Sequence, residues 1–173
     1  MAEENGTTEA AQDAEKAAPQ FALQGIYLKD LSFESPMGAK AFKEKLNPKV
    51  NQDISTKTQK LDDDQYEVTL TVTIAVKHEE DTIYLVEVQQ SGAFLIKGIE
   101  GQQLAQVLNT HCPASLFPYA REVIDSVVVK GGFPALALPP INFDALFAQA
   151  VMQAKAKADE AQAGEAEAAE TTH

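Results

Sequence analysis

His111 and Cys112 stand side by side, the residue types of a general base and a thiol nucleophile. Neighbours in a helix point in different directions, so the two do not readily share a hydrogen bond. A structural cysteine beside a loop histidine is the better reading. His78, Glu79, Glu80 and Asp81 combine metal-ligand types, but a charged hairpin tip accounts for the same run. Asp62, Asp63 and Asp64 offer carboxylates for acid–base work. Such work needs a cleft that raises one pKa, and a solvated acidic loop is the better reading of these three. The sequence contains no GxxxxGK(S/T), GxGxxG, GxSxG or HExxH pattern. ATP-driven work by this chain is not expected, nor is an enzyme, a cofactor or a metal site.

The elements that would have to position such groups are read from composition and periodicity. The chain has 173 residues, 45% hydrophobic, enough for one domain with a core. Its 26 acidic and 14 basic residues give a net charge of -12. That argues against nucleic acid, whose phosphates need a Lys/Arg footprint, and against an anionic membrane surface. Cys112 is the single cysteine, so no intrachain disulfide can form. No signal peptide and no membrane span is read, and the simplest address is the cytoplasm.

Residues 1–20 form an acidic lead expected to be disordered, 21–152 the domain, and 153–173 a mobile acidic tail. The bland reading of both ends is solubility. Phe21, Leu23, Tyr27, Leu31 and Phe33 share one parity, predicting a strand with an irregularity near Gly25. Val50 to Thr58 alternates weakly. Tyr66 to Val76 alternates strictly and is the clearest strand. Thr82 to Ile96 is a long two-faced strand, with Tyr84, Val86 and Val88 on one side and Ile83 and Leu85 on the other. The short link between the last two makes them an antiparallel hairpin.

Leu104, Val107 and Leu108 predict a short helix broken by Pro113. Ser115 is placed as the cap of the next helix, with Pro118 in its first turn and an apolar stripe at Ala120, Val123, Ile124, Val127 and Val128. Gly131-Gly132 ends it, and Asn142 caps a final helix bearing Phe143, Leu146, Phe147 and Val151. The predicted fold is α+β. It has a four-stranded antiparallel meander sheet with two main helices, plus a short one, packed on one face.

Between the two main helices, Gly131–Pro140 is apolar and proline-rich. A loop normally lies on the surface and is polar. This one carries Phe133, Leu136 and Leu138. Two helices cannot cover both this loop and Ile83 and Leu85, so a sister subunit or a ligand must. The residues leave those two open.

Five segments carry a resemblance: QGIYLKDLSFESP (Gln24–Pro36), EVQQSGAF (Glu87–Phe94), CPASLFPYARE (Cys112–Glu122), GGFPALALPP (Gly131–Pro140) and NFDALF (Asn142–Phe147). In this order and spacing they resemble SecB, the bacterial protein-export chaperone family, over Phe21 to Phe147. The resemblance implies a cytoplasmic homotetramer, a dimer of dimers with the long helix at the junction. It implies an ATP-independent holdase that binds unfolded precursor proteins and delivers them to SecA, the motor ATPase of the Sec translocase. The zinc of that partnership belongs to SecA. Direct membrane insertion and nucleic acid are not implied.

Carried over by position, the client-binding groove is Tyr84, Val86, Val88 and Gln90 with Phe133, Leu136 and Leu138. The SecA-binding surface is Asp30, Glu34, Leu85 and Glu87. Leu46 stands where the family often has Trp, which would make the groove shallower. The alternative is a SecB-like chaperone dedicated to one partner, such as the antitoxin of a toxin–antitoxin pair. The acidic sheet-face surface favours the export reading.

Overall fold

Apolar side chains at every second position from Tyr66 to Val76 force a two-faced strand, and the sheet grows outward from it. The structure, a computed structural model, describes residues 18–43 and 45–170, with side chains through 157. The first seventeen residues of the expected acidic lead and the last three of the expected tail lie outside that description.

Four strands come first: β1 (Gln20–Glu34), β2 (Lys49–Asp62), β3 (Gln65–His78) and β4 (Asp81–Lys97). Three helices come after them: α1 (Gly101–Asn109), α2 (His111–Lys130) and α3 (Phe143–Glu170). The strands are antiparallel in the order β1-β4-β3-β2. The α+β class and the antiparallel sheet with helices on one face are as the sequence indicates. The meander holds only for β2, β3 and β4, because β1 pairs with β4. The connection after Glu34 holds a short 3-10 turn at Gly38–Phe42 and is long enough to carry the chain across the end of the sheet.

Bulges decide which side chains share a face. In β1 the register slips between Leu23 and Gly25 and again between Leu28 and Asp30. Each extra residue flips the parity of the strand beyond it. Phe21, Leu23, Ile26, Leu28, Leu31 and Phe33 therefore share the face of Ile96, Phe94, Val88 and Val86. Tyr27, grouped with them by simple parity, lies opposite Ser91 on the other face. A third slip, where Val76 pairs Tyr84 and Lys77 pairs Thr82, leaves Ile83 unpaired. Ile83 is buried at 2% exposure rather than left on the open face. The Ser35 hydroxyl donates to the Ile83 carbonyl at 3.3 Å.

α2 lies on β3 and β4, and α1 and α3 pack against it. Leu70, Val72, Ile74, Val86 and Val88 have no exposed surface beneath it. The approach is close at Gly92, where an added Cβ would sit 2.9 Å from Leu116 Cδ2. α2 starts at His111, earlier than Ser115. Pro113 does not break a helix; it falls in the first turn of α2, where its missing N–H leaves no bond unmade. Ser115 instead donates its hydroxyl to the His111 carbonyl at 2.8 Å. Pro118 lies inside the helix rather than in its first turn, which removes one backbone hydrogen bond there. Asn142 caps α3 as expected, its Oδ1 accepting from Ala145 N–H at 3.0 Å. α3 stays helical to Glu170, past the last large apolar residue at Met152, in keeping with its Ala/Glu/Lys/Gln content.

Candidate functional site

At the end of α2 the cover changes from helix to loop. Gly131 N–H donates to the Val127 carbonyl at 2.9 Å, Gly132 to Val129 at 3.0 Å and Phe133 to Val128 at 3.1 Å. These bonds satisfy the last carbonyls of the helix, and Gly132 supplies the left-handed residue with φ +88°. The chain thus turns Phe133 back over the sheet. Its ring lies 4.6 Å from Tyr84 and 5.2 Å from Phe42, centroid to centroid. Phe33 joins at 5.9 Å from Tyr84. Four rings cluster at distances where aromatic pairs attract.

Beside the cluster opens a cavity of about 380 Å³ lined by Phe42, Leu46, Pro48, Val50, Val76, Ile83, Tyr84, Phe133 and Leu136, with no charged side chain in its wall among the described residues. The crossover segment forms one side and the apolar loop the other. Bulged Ile83 forms part of the floor with Tyr84. Val50 belongs to β2, an edge strand whose outer side pairs with no other strand among the described residues. The site can therefore offer apolar burial and free backbone groups together.

The loop is fixed from α2. Asp125 Oδ1 accepts two backbone N–H groups, from Leu136 at 2.9 Å and Ala137 at 3.1 Å. Arg121 Nη1 donates to the Leu138 carbonyl at 3.3 Å. Ala137 is held left-handed at φ +48°. Burial, and after it the Asp125 charge, pushes the Tyr84 phenol above its ordinary pKa, so Tyr84 is a neutral wall of the cavity.

Tyr84, Phe133 and Leu136 meet in the cavity. Val86, Val88 and Gln90 are buried beside Tyr84 on the covered face and do not reach the lining; neither does buried Leu138. Asp30, Glu34, Leu85 and Glu87 come together on the opposite face. Glu34 pairs with Leu85, Asp30 with Gln89, and Glu87 with Ser32. Thr73 donates its hydroxyl to Glu87 at 3.0 Å. On the same face Glu67 accepts from the Tyr27 hydroxyl and from Lys29 Nζ, the latter at 2.7 Å. The Lys29 bond first, and the Tyr27 bond second, hold the Glu67 carboxyl below its ordinary pKa.

Sequence reasoning missed Phe33, Phe42 and Ile83 as neighbours of the loop, and Asp125 and Arg121 as its anchors. The apolar stripe of α2 was the nearest signal, since these two charges lie off it.

The reactive-looking runs are structural. Cys112 is fully buried and burial pushes its thiol up to about 12, which suppresses the thiolate. His111 Nδ1 bonds the Thr110 hydroxyl at 3.1 Å. His78 Nδ1 accepts the Asn47 N–H at 3.2 Å, tying the crossover to the hairpin. Asp63 and Asp64 make the β2–β3 turn, with Asp64 at φ +60°. Among the described residues no three His, Cys, Asp or Glu side chains converge as a metal site, and no helix is long and apolar enough to cross a membrane.

A family model for SecB, preprotein translocase subunit SecB, matches residues 14–154. The chain is 53% identical to the protein-export protein SecB of Marinobacter nauticus, over 94% of this chain and 96% of that protein. Identity to the protein-export protein SecB of Saccharophagus degradans is 54%, over 90% and 94%. Among solved structures, a Mycobacterium tuberculosis SecB-like chaperone in complex with a ChAD peptide from the HigA1 antitoxin aligns with a TM-score of 0.57. It covers 70% of this chain and 90% of that one at 13% identity, a likeness of fold.

Proposed function

The chain belongs to the SecB family, and from that premise we propose that it is a protein-export chaperone that holds precursor proteins unfolded without ATP and hands them to SecA. The observation that carries the reading is the apolar, aromatic-walled cavity under the 133–136 loop, beside the edge strand β2. Unfolded chains share no sequence, but they share apolar side chains and unpaired backbone groups. A cavity with aromatic walls binds the first, and β2 is available to the second. Each large side chain that enters contributes roughly 1.5–3 kcal/mol. Several such sites along one client add up to firm, unselective holding.

In this reading Tyr84, Phe133 and Leu136 touch the client. Val86, Val88 and Gln90 back the groove from within, and Leu138 anchors the loop. Asp30, Glu34, Leu85 and Glu87 form the SecA surface on the other side of the sheet, where carboxylates steer a basic partner. A homotetramer, as a dimer of dimers in the cytoplasm, is supported by the family and by exposed Leu28, Leu31, Tyr119 and Val129.

The test uses Phe133→Ser/Leu136→Ser and a permanently unfolded, labelled polypeptide. Affinity drops at least about tenfold, which corresponds to ~1.4 kcal/mol, and the assembly seen by native mass spectrometry is unchanged. Charge reversal at Asp30, Glu34 and Glu87 has the opposite profile, with SecA binding weakened and client binding kept. Unchanged client affinity in the double variant, with assembly lost, makes the loop an assembly element and defeats the reading.

A further inference from the structure

The loop that walls the cavity is held in place by a residue outside the cavity. One oxygen of Asp125 accepts the N–H groups of two successive residues, Leu136 and Ala137. Successive N–H groups converge on one point only when the backbone leaves the extended form, and Ala137 sits at φ +48°. An alanine reaches that region against its Cβ, so something must hold it there. The carboxylate does so, and Arg121 fixes the next carbonyl, that of Leu138. Leu136 faces the cavity from this same turn. Prolines 134, 139 and 140 stiffen both flanks, leaving Leu136–Ala137 as the part whose shape depends on a side chain.

We propose that Asp125 is the positioning residue of the client cavity: it latches the 133–138 loop in its binding shape before a client arrives. This rests on the reading of the cavity as the client site. A wall already ordered loses less freedom when an apolar side chain enters, so preorganisation appears as affinity. Without the carboxylate, Ala137 falls back to negative φ, Leu136 N–H and Ala137 N–H turn to water, and Leu136 no longer holds its place in the wall.

The experiment measures binding of a permanently unfolded, carboxymethylated polypeptide to the full chain, with hydrogen exchange read at residues 133–138. Asp125→Ala weakens binding about fivefold to twentyfold and speeds exchange at Leu136 and Ala137. Its melting temperature falls only modestly, because the better helix propensity of alanine offsets part of the two lost hydrogen bonds. Asp125→Asn, which keeps an accepting oxygen, restores most of the affinity. Adding Ala137→Gly to Asp125→Ala restores part of it, because glycine takes positive φ unaided.

Wild-type affinity in Asp125→Ala overturns the proposal, whether or not exchange rises. So does weakened binding that neither Asn nor Ala137→Gly relieves, since the loss then does not run through the turn. Phe133→Ser/Leu136→Ser separates the two readings. If it weakens binding and Asp125→Ala does not, the latch alone fails. If it binds as the wild type does, the cavity itself is misassigned.

Discussion

Beneath the middle of α2 the covered face of the sheet is sealed, and Val72, Val86, Val88 and Ile124 have no exposed surface. Beyond Lys130 the same face of the same strands is roofed by a loop and a crossover segment, and about 380 Å³ stays open between them. Both ends are apolar, so composition does not separate them. The difference lies in the cover. A helix satisfies its own backbone and can lay a continuous apolar stripe on the sheet. A loop must find partners for its backbone groups, here Asp125 and Arg121, and it spans the sheet without filling it. The proposed site is where the helix stops.

Truncating one side chain at each end sharpens this. Ile124→Ala beneath the helix costs about 2–5 kcal/mol in chemical denaturation, the usual range for a buried large aliphatic. Leu136→Ala, half-buried in the cavity wall, costs about 1 kcal/mol because part of its area is already wet. Its larger effect falls on client affinity. Equal losses of stability at the two positions would show that the loop end is core like the rest, and the comparison would break.

Legibility in the sequence divides along the same line. The alternation from Tyr66 to Val76, the stripe from Ala120 to Val128 and the Asn142 cap were readable because each is a local pattern with one physical cause. The position of the loop was legible from its unusual apolarity, and the family from five segments in order. The departures in the sheet and at the loop come from single inserted residues or from partners distant in sequence. Bulges in β1 and at Ile83 flip parity, so Tyr27 and Ile83 each ended on the face opposite to the expected one. The pairing of β1 with β4 depends on a crossover that no periodicity records. Asp125 is one carboxylate among many in the sequence, and only the loop folded over it shows what it does.

Gly131 joins the two ends and gives a second, smaller prediction. An added Cβ there would run into Phe33 Cζ and lie 2.7 Å from its Cε1. The backbone itself is unstrained at φ -70°, so the conflict is with the ring alone. Gly131→Ala costs about 1–3 kcal/mol, as overpacking does. The displaced Phe33 disturbs its tilted contact with Tyr84, so client affinity changes with it. Phe33→Leu in the same chain frees space and recovers stability. A Gly131→Ala variant as stable as the wild type would mean that the ring cluster is loose and sets no shape.

The smallest effect belongs to the opposite face, which serves as a control for both. There Glu67 on β3 ties Tyr27 and Lys29 of β1 across the intervening β4. Its carboxyl is held below the ordinary value, chiefly by the Lys29 bond. A depressed carboxylate contributes stability above the unfolded-state pKa and loses it as pH falls through the lower folded-state value. The wild type therefore loses part of its stability in the acid limb, below about pH 4.3. Glu67→Gln is slightly less stable at neutral pH and has a flatter acid limb, read from denaturation curves at several pH values. Exposed pairs contribute little, so the change is well below that of Ile124→Ala. Client affinity is untouched, because the tie and the cavity lie on opposite faces of the sheet. If Glu67→Gln weakened client binding as Leu136→Ala does, the register of β1 would be setting the cavity floor through Phe33. The contrast would then be between the two faces of the sheet and no longer between the two ends of one.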